Sequence, residues 1–514
     1  MTIEAPRRHF LAGTAALVAA GPAWAQPAAP KTAISVRIDR DVEVLDPAFR
    51  TGLQDGNIVR AITQRLITVA PNGGALTLDA AEEVKQVSPT VIEFRLKPGQ
   101  MFSGGFGEMT AEDVKFSYER FVNPALAGGK ESPYKGEWAS LKEVEVTGRL
   151  TGQVVLDRPR AGLFTIAFGD VAGSILCKRA VEQLGTEHNT HPVGSGPLMV
   201  ASFEKQRQVV LRRNPAYVGE RSGFEEVAVR YVPDPKTTEL GLRSGDLDFA
   251  SLPPSVAEPL RSAAGLKVEQ QPGIANVWLG MNVEKPPFND VRVRRAIRLA
   301  LDVDQMLLAG YNGRAPRANA LVMPQVLGYW KDAPVLRRDV AQAKRLMAEA
   351  GHAAGFKARI TVQNQPVYQT MALVARALLQ EIGITLEVDA QDAGSFFSAG
   401  KGDAGKALDL FIIRFNGKLD PNFLAQWFTT SQIGVWNWQR WSSPEFDQLL
   451  DQGSAELDDA KRTALFVQAQ QIMEDSAAFV WLTYDVSVFI YQAWLKPALL
   501  PTGIDWALDR FAPA

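Results

Sequence analysis

The stretch from His188 to Val200 contains the residues of this sequence that look most able to do chemistry. Two histidines lie three residues apart, at His188 and His191, and Ser195 lies between two glycines. The prolines and glycines around them favour a turn, so the two imidazoles do not share a helix face, and no nearby cysteine or acidic residue completes a metal site. The order Val-Gly-Ser-Gly-Pro also differs from the Gly-x-Ser-x-Gly turn of hydrolases. We therefore predict a turn here, without metal or nucleophilic chemistry.

A second glycine-rich stretch, Ser103–Met109, could in principle bind phosphate. It lacks the Gly-Lys-Ser/Thr of a phosphate-binding loop and the Gly-x-Gly-x-x-Gly of a dinucleotide site, so it predicts a turn before a helix that begins near Thr110. With four histidines and the single Cys177 in 514 residues, the chain offers no cluster for metal or nucleophilic chemistry. We predict no enzyme activity, no cofactor and no metal site.

The first 25 residues have the pattern of an export signal. Arg7 and Arg8 precede an apolar stretch over 10–20, and small residues at Ala23 and Ala25 suit cleavage before Gln26. The adjacent arginines indicate twin-arginine export, with an ordinary export signal as the alternative. Both alternatives predict a protein that works outside the cytoplasm, in the periplasm.

The charge balance excludes several classes of partner. Lys and Arg number 55 and Asp and Glu 57, which gives a formal net charge of −2. A chain so close to neutral has no overall attraction for nucleic acid or for an anionic membrane. No segment after the signal has the roughly 18 uninterrupted apolar residues of a membrane span. We expect no nucleic-acid partner, no membrane insertion and a monomer.

Further along the chain, hydrophobic periodicity indicates alternating helices and strands. Residues 34–38 alternate as in a half-buried strand. Residues 292–307 have a helical apolar stripe with four arginines mostly off it, on a face that we expect to be solvated. Residues 371–388 combine a helix, a capping Gly383 and a strand. A further helix over 339–350 stops at Gly351. The fold class predicted is α/β.

Several blocks, taken in order, resemble the extracytoplasmic solute-binding proteins of peptide/nickel-type ABC importers. The segments that carry the resemblance lie over nearly the whole chain after the signal: "VEVLDPAFRTGLQDGNIVRAITQRLI", "FRLKPGQMFSGGFGEMTAEDVKFSYERFVNP", "HPVGSGPLMV", "NPAYVGERSGFEEVAVRYVPDPKTTELGLRSGDLDFA", "WLGMNVEKPPFNDVRVRRAIRLALD" and "WSSPEFDQLL". No single block decides the matter, but six in order are specific. The resemblance implies that the turn over 188–200 is structural, with both histidines at the surface.

The resemblance implies a two-lobed periplasmic-binding-protein type II fold of the large class, with a ligand cleft between the lobes. Lobe I would comprise 26–275 with an extra subdomain at about 72–190, lobe II would comprise 276–488, and 489–514 would return to lobe I. The segments 273–282 and 479–491 would form the hinge. The implied function is capture of a small solute by lobe closure and its delivery to the permease subunits of an importer.

The family's cleft-facing loop would correspond to "DLFIIRFNGKLDPNFLAQWF". In peptide-binding relatives an aspartate just before the Asp-Pro pair holds the ligand's ammonium, and alignment on Asp420 puts Gly417 or a neighbour there. Arg414 lies at about the position where many members of that family have a tryptophan. We expect Arg414, with Asn416 and Asp420, at the ligand, where Arg414 could pair with an anionic group. The alternative is that Arg414 pairs internally, with Asp409 or Asp420.

Other candidate ligand contacts are aromatic or polar. Trp436, Trp438 and Trp441 lie close together, and alternation would put the first two on one face for stacking, although a simple core explains them nearly as well. Trp278, in the first hinge segment, is a further candidate for contact with the ligand. On the lobe I side, the candidates are Thr51, Asp55 and Asn57, with helix capping as the alternative role for Asp55.

These residues do not determine the identity of the solute. A short peptide or peptide-like compound is the first candidate, and an anionic conjugate or a sugar-containing solute is the second. A secreted enzyme with an unrecognised site and a sensory binding protein are the alternatives from other classes. Nickel is disfavoured, because lobe II contains only His352.

Overall fold

The computed structural model describes residues 31–50, 52–71 and 75–514. The predicted export signal over 1–25 lies outside these residues. The strands are β1 Ala33–Ile38, β2 Ile67–Val69, β3 Leu76–Leu78, β4 Ala81–Ser88, β5 Val91–Leu96, β6 Met101–Phe102, β7 Gly107–Glu108, β8 Leu141–Val146, β9 Thr151–Leu156, β10 Leu198–Glu204, β11 Gln208–Arg213, β12 Glu226–Tyr231, β13 Phe249–Ser251, β14 Leu266–Pro272, β15 Ala275–Met281, β16 Phe356–Gln363, β17 Ile384–Gln391, β18 Leu410–Asn416, β19 Phe479–Thr483, β20 Val486–Gln492, β21 Leu495–Lys496 and β22 Ala512–Pro513.

The α-helices alternate with these strands over most of the chain. They are α1 Leu53–Ile62, α2 Ala111–Glu119, α3 Lys178–Leu184, α4 Pro235–Ser244, α5 Pro254–Ala257, α6 Val291–Ala300, α7 Val303–Tyr311, α8 Val340–Glu349, α9 Pro366–Gln380, α10 Ala393–Ala399, α11 Pro421–Ala425, α12 Pro444–Ala455 and α13 Asp459–Ser476.

Two mixed sheets organise the molecule. Lobe I is built on a seven-stranded sheet in the order β10-β11-β12-β1-β13-β20-β14, and lobe II on a five-stranded sheet in the order β17-β16-β18-β15-β19. β1 runs parallel to β12 and β13, and β16 runs parallel to β17 and β18, whereas β15 is antiparallel to its neighbours. The α/β class predicted from periodicity is confirmed.

A separate four-stranded antiparallel sheet, in the order β4-β5-β9-β8, forms the subdomain. Its core is rich in aromatic rings. Tyr118 stacks on Trp138 with ring centroids 4.3 Å apart, and Phe168 meets the edge of Trp138 at 5.4 Å. α2 packs on this sheet and begins at a capping box, in which Asp113 accepts from the Thr110 backbone N–H at 2.9 Å. The helix start at Thr110 is therefore as predicted.

The chain passes between the two large sheets twice. It leaves β14 of lobe I at Gly273 to enter β15 of lobe II, and it leaves β19 at Tyr484–Asp485 to enter β20 of lobe I. The crossings lie side by side, because the Gly273 N–H donates to the Asp485 carbonyl oxygen at 3.3 Å. Motion of one sheet relative to the other must be absorbed at these two short connections.

The turn that contains Ser195 is structural, as predicted. The Gly196 N–H donates to the Ile62 carbonyl oxygen at 3.0 Å, and a Cβ on Gly194 would lie 1.8 Å from that same oxygen. Only glycine permits this approach to the end of α1. The surface position predicted for both histidines is wrong for His188, which is 1% exposed, while His191 is exposed.

The arginines of α6 also differ from the solvated face that the sequence predicts. Arg294 and Arg298 are each 8% exposed. Arg294 donates twice to the Ser476 carbonyl oxygen, at 2.9 and 2.7 Å, and Arg298 donates to the Glu474 carbonyl oxygen at 3.0 Å. They thus satisfy carbonyl groups at the C-terminal end of α13, where a helix favours cations.

Candidate functional site between the two sheets

The candidate site is a cavity of about 720 Å³ at the place where the chain crosses between the sheets. Its lobe I wall comes from residues near α1, from the subdomain and from the segment 500–505. Its lobe II wall comes from Ile274, Gln365, Arg414, Asn416, Gly417, Lys418, Leu419 and Phe423. The volume is typical of a site for a small molecule, and both lobes contribute to its walls.

Backbone contacts at the base of this cavity leave little room for any side chain at position 417. The Gly417 N–H donates to the Ile274 carbonyl oxygen at 2.6 Å, and the Ile274 N–H donates to the Thr502 carbonyl oxygen at 2.9 Å. A Cβ on Gly417 would lie 2.6 Å from that Ile274 oxygen and 2.3 Å from a methyl carbon of Leu424. A longer side chain at position 417 would therefore require the backbone to move.

Arg414 lies at the end of β18 and lines the cavity, as does Asn416. The Arg414 guanidinium pairs with Asp485 at the second crossing and donates to the Asn416 side-chain oxygen at 2.6 Å. Burial alone would lower the pKa of Arg414, but the negative charge of Asp485 outweighs burial and raises it. The positive charge at this end of the cavity is therefore permanent.

Neither internal partner that the sequence suggested for Arg414 is the observed one. Asp409 pairs with Lys285 at 2.5 Å, and Asp420 pairs with Arg462 at 2.8 Å. Asp420 is 1% exposed, caps α11 by accepting from the Asn422 N–H at 2.9 Å, and does not line the cavity. Asp420 thus has a structural role here, and its contact with a ligand stays a prediction.

Lys418 is the cavity residue that sequence reasoning missed. Its ammonium lies 2.7 Å from Glu137 Oε1, 2.7 Å from Asp170 Oδ2 and 3.1 Å from the Ile166 carbonyl oxygen. All three acceptors belong to lobe I, whereas Lys418 belongs to lobe II. The one signal in the sequence was a basic residue two positions before Asp420, and its partners are more than 240 residues away.

Two guanidiniums complete this charged cluster, which we call the cross-lobe cluster: Arg50, Arg60, Glu137, Asp170 and Lys418. Arg50 lies 3.1 Å from Glu137, and Arg60 lies 2.5 Å from Asp170. Burial would raise the pKa of the Asp170 carboxyl, but the positive charges of Lys418, Arg60 and Arg50 outweigh burial and hold that pKa below its ordinary value. Asp170 therefore remains ionised well into the acidic range.

The cavity as a whole has a slight excess of positive charge. Five basic residues line it, against four acidic ones: Arg40, Arg50, Arg60, Arg414 and Lys418, and Asp39, Glu137, Asp170 and Asp505. Burial raises the pKa of Asp505, although the nearby Arg60 partly opposes this shift. The electrostatics thus favour a solute that brings at least one anionic group.

The lobe I candidates lie elsewhere. Thr51 lies outside the residues that the structure describes. Asp55 is 1% exposed, and its carboxylate accepts from the Gly52 N–H at 3.1 Å, so it caps α1. Asn57 is 2% exposed and accepts from the Trp506 N–H at 3.3 Å. Neither Asp55 nor Asn57 lines the cavity.

The tryptophans are placed in or on the core of lobe II. Trp278 and Trp438 are each 1% exposed and Trp441 is 7% exposed, and none of them lines the cavity. Trp436 is half-buried and packs against Phe415 at 5.6 Å, also away from the cavity. Residues 434–439 lie in turns instead of a strand, so the alternation that would put Trp436 and Trp438 on one face does not apply.

Metal sites and membrane spans are both missing from the described part of the chain. No group of three or more His, Cys, Asp or Glu side chains there is placed to hold a metal ion. Among the same residues, no helix combines the length and the apolar composition needed to span a membrane.

Comparison with known proteins decides the family. Residues 75–435 match the model of the bacterial extracellular solute-binding proteins, family 5. The chain belongs to this family. The family resemblance in the sequence blocks is therefore confirmed.

Alignments with individual relatives cover most of the chain. The probable di/tripeptide-binding protein 5 of Pseudomonas aeruginosa is 27% identical, with 89% of this chain and 90% of the relative covered. The probable D,D-dipeptide-binding periplasmic protein DdpA of Escherichia coli is also 27% identical, with 89% of each covered. These relatives are binding proteins.

A solved structure extends the comparison to the fold. The ABC transporter-associated periplasmic binding protein DppA of Helicobacter pylori, in complex with the peptide STSA, superposes with a TM-score of 0.78. It is 25% identical, and the match covers 94% of this chain and 98% of that one. The fold of this family 5 protein is the two-lobed α/β type II architecture of periplasmic binding proteins, as predicted.

Proposed function

We propose that this family 5 protein is the solute-capturing subunit of an ABC importer and that it works in the periplasm. Its solute is a short peptide or a peptide-like compound, which it delivers to the permease subunits in the inner membrane. It acts as a monomer and makes or breaks no covalent bond. The names of the relatives in Pseudomonas aeruginosa, Escherichia coli and Helicobacter pylori support the peptide class and the importer.

The observation that carries the proposal is that one cavity takes its walls from both lobes. A solute in it touches the lobe I wall and the loop that contains Arg414 and Lys418 at the same time. Such a solute makes its full set of contacts only when the lobes are together, so binding shifts the equilibrium towards closure. The permease can then distinguish the loaded protein from the unloaded one by its conformation.

The polar groups of the cavity suit the peptide class. A peptide presents amide donors and acceptors along its length and a carboxylate at one end. Arg414 offers a fixed guanidinium for that carboxylate, and backbone and side-chain oxygens near Thr502 and Asn416 offer acceptors. Micromolar affinity needs about −8 kcal/mol, which a desolvated cleft with a few charged hydrogen bonds can supply.

An anionic conjugate is the second candidate. The observation that favours it is the excess of basic over acidic residues around the cavity, together with the permanent charge of Arg414. The buried positions of Trp438 and Trp441 give no support to stacking on a sugar ring. Stacking on a sugar ring would depend instead on Tyr134 and Phe423, the aromatic side chains among the described residues that line the cavity.

Native mass spectrometry of the protein purified from the periplasm of the bacterium that makes it tests this function. We expect one retained solute per chain, which denaturation releases and whose fragments include amino-acid residues. A retained solute without any amide-linked amino acid would contradict the peptide class and favour the second candidate. Conversion of the solute to a product by the purified protein would contradict the binding role itself.

A further inference from the structure

The ammonium of Lys418 is fully coordinated by the opposite lobe. An ammonium has three N–H donors, and Lys418 has three acceptors within hydrogen-bonding distance: Glu137, Asp170 and the Ile166 carbonyl. The Lys418 side chain is 13% exposed, so water has little access to it. This geometry is what a bound alkylammonium ion would require, but here the protein itself provides the cation.

The two carboxylates that hold Lys418 are each paired with a second cation, although Glu137 Oε2 itself accepts no hydrogen bond. Glu137 also pairs with Arg50, and Asp170 also pairs with Arg60, so each carboxylate faces two cations. The cross-lobe cluster therefore contains three positive and two negative side chains. The other cavity acids are paired too, since Asp505 lies 4.0 Å from Arg60 and Asp39 lies 3.9 Å from Arg37.

An incoming ammonium group would meet an unfavourable environment here. It would either add a positive charge beside three existing ones or displace Lys418 from acceptors that satisfy all its donors. Like charges at short range in a partly desolvated site repel, and the displaced ammonium would lose its partners. A neutral or anionic group at the same place incurs neither cost.

We propose that Lys418 is a tethered ammonium that occupies the cation subsite of the cavity and thereby selects solutes without a free amino group at that end. The inference rests on the proposed function and specifies its solute class: peptide-like compounds whose amino terminus is blocked, or whose terminal group is anionic. Lys418 is thus a specificity-determining residue, and Glu137 and Asp170 hold it in position.

Matched ligands test this selectivity. Titration calorimetry compares alanyl-alanine with its N-acetylated form on three proteins: wild type, Lys418→Met and the control Lys344→Met, which removes an exposed lysine of α8. We expect wild type and Lys344→Met to bind the acetylated form at least ten times more tightly. We expect Lys418→Met, in which Glu137 and Asp170 can accept a ligand ammonium, to lose or reverse this preference.

Equal or tighter binding of the free form by the wild type would overturn the proposal, as would an unchanged preference in Lys418→Met. If the wild type binds neither form, these peptides are the wrong solutes.

A second experiment, which needs no solute, then tests whether the Lys418 ammonium is held by its three acceptors. Wild-type protein is treated with acetic anhydride, and the modified lysines are identified by mass spectrometry. The proposal requires Lys418 to react at least ten times more slowly than Lys344 in the folded protein and equally fast after denaturation. Equal rates in the folded protein would overturn it.

Discussion

At Lys418, an ammonium from lobe II meets two carboxylates and a carbonyl oxygen from lobe I. The sequence shows a lysine close to Asp420, but its partners come from the subdomain and meet it only through the tertiary fold. Arg414 presents the opposite case, because a charged residue in a loop that resembles the family's cleft-facing segment could be recognised from sequence. It does line the cavity, although its partner Asp485 could not be predicted.

His188 is the buried ionisable residue whose environment differs most from the prediction. Neither ring nitrogen has a hydrogen-bond partner, and burial lowers the pKa of His188 from 6.5 to about 4. Between these values the unfolded chain takes up a proton that the folded protein does not. The free energy of unfolding therefore falls as the pH drops from about 6.5 towards 4, by roughly 3 kcal/mol from this group at full effect.

Urea unfolding at pH 7 and pH 4.5 measures that contribution. We expect His188→Gln to lose less stability than wild type between the two pH values, by roughly 2–3 kcal/mol. His191→Gln, which changes an exposed histidine, is the control and should behave like the wild type. An identical loss in His188→Gln and wild type would show that His188 does not titrate as described.

At the scale of elements, periodicity predicted the long regular segments well. The helix and strand over 371–388 appear as α9 and β17, and the strand over 34–38 appears as β1. Their stripes are long enough for one face to be identified as buried. The tryptophan-rich segment failed because four or five residues can alternate by chance, and the chain there makes turns.

Within that segment, Trp438 serves the core under β18. Its ring packs against Phe396 at 5.1 Å and Phe411 at 5.5 Å, and Gly400 leaves the space that the ring fills. We expect Trp438→Ala to lower the free energy of unfolding by about 3–5 kcal/mol, because it opens a large cavity in lobe II. Trp436→Ala, which removes a half-buried ring of the same cluster, should cost clearly less.

Denaturant unfolding of the two variants checks this difference. A Trp438→Ala protein with wild-type stability and weakened solute binding would contradict the structural role. It would support a role for Trp438 in binding the solute.

At the scale of the whole molecule, two short crossings join the two large sheets, and the cavity lies between these sheets. The order of sequence blocks could identify the family, because each block keeps a local pattern that survives divergence. The solute could not be identified in this way, since the side chains that line the cavity, such as Arg60, Asp170 and Lys418, come together only through the tertiary fold.

The most direct test of the central claim, that the solute binds in this cavity, is calorimetry of the retained solute with a cavity-filling variant. Thr165 lines the cavity, whereas Thr147 lies exposed between β8 and β9 of the same subdomain. We predict that Thr165→Trp weakens binding at least a hundredfold, while Thr147→Trp binds one solute per chain with wild-type affinity. Unchanged affinity in Thr165→Trp, with the variant folded, would contradict the account.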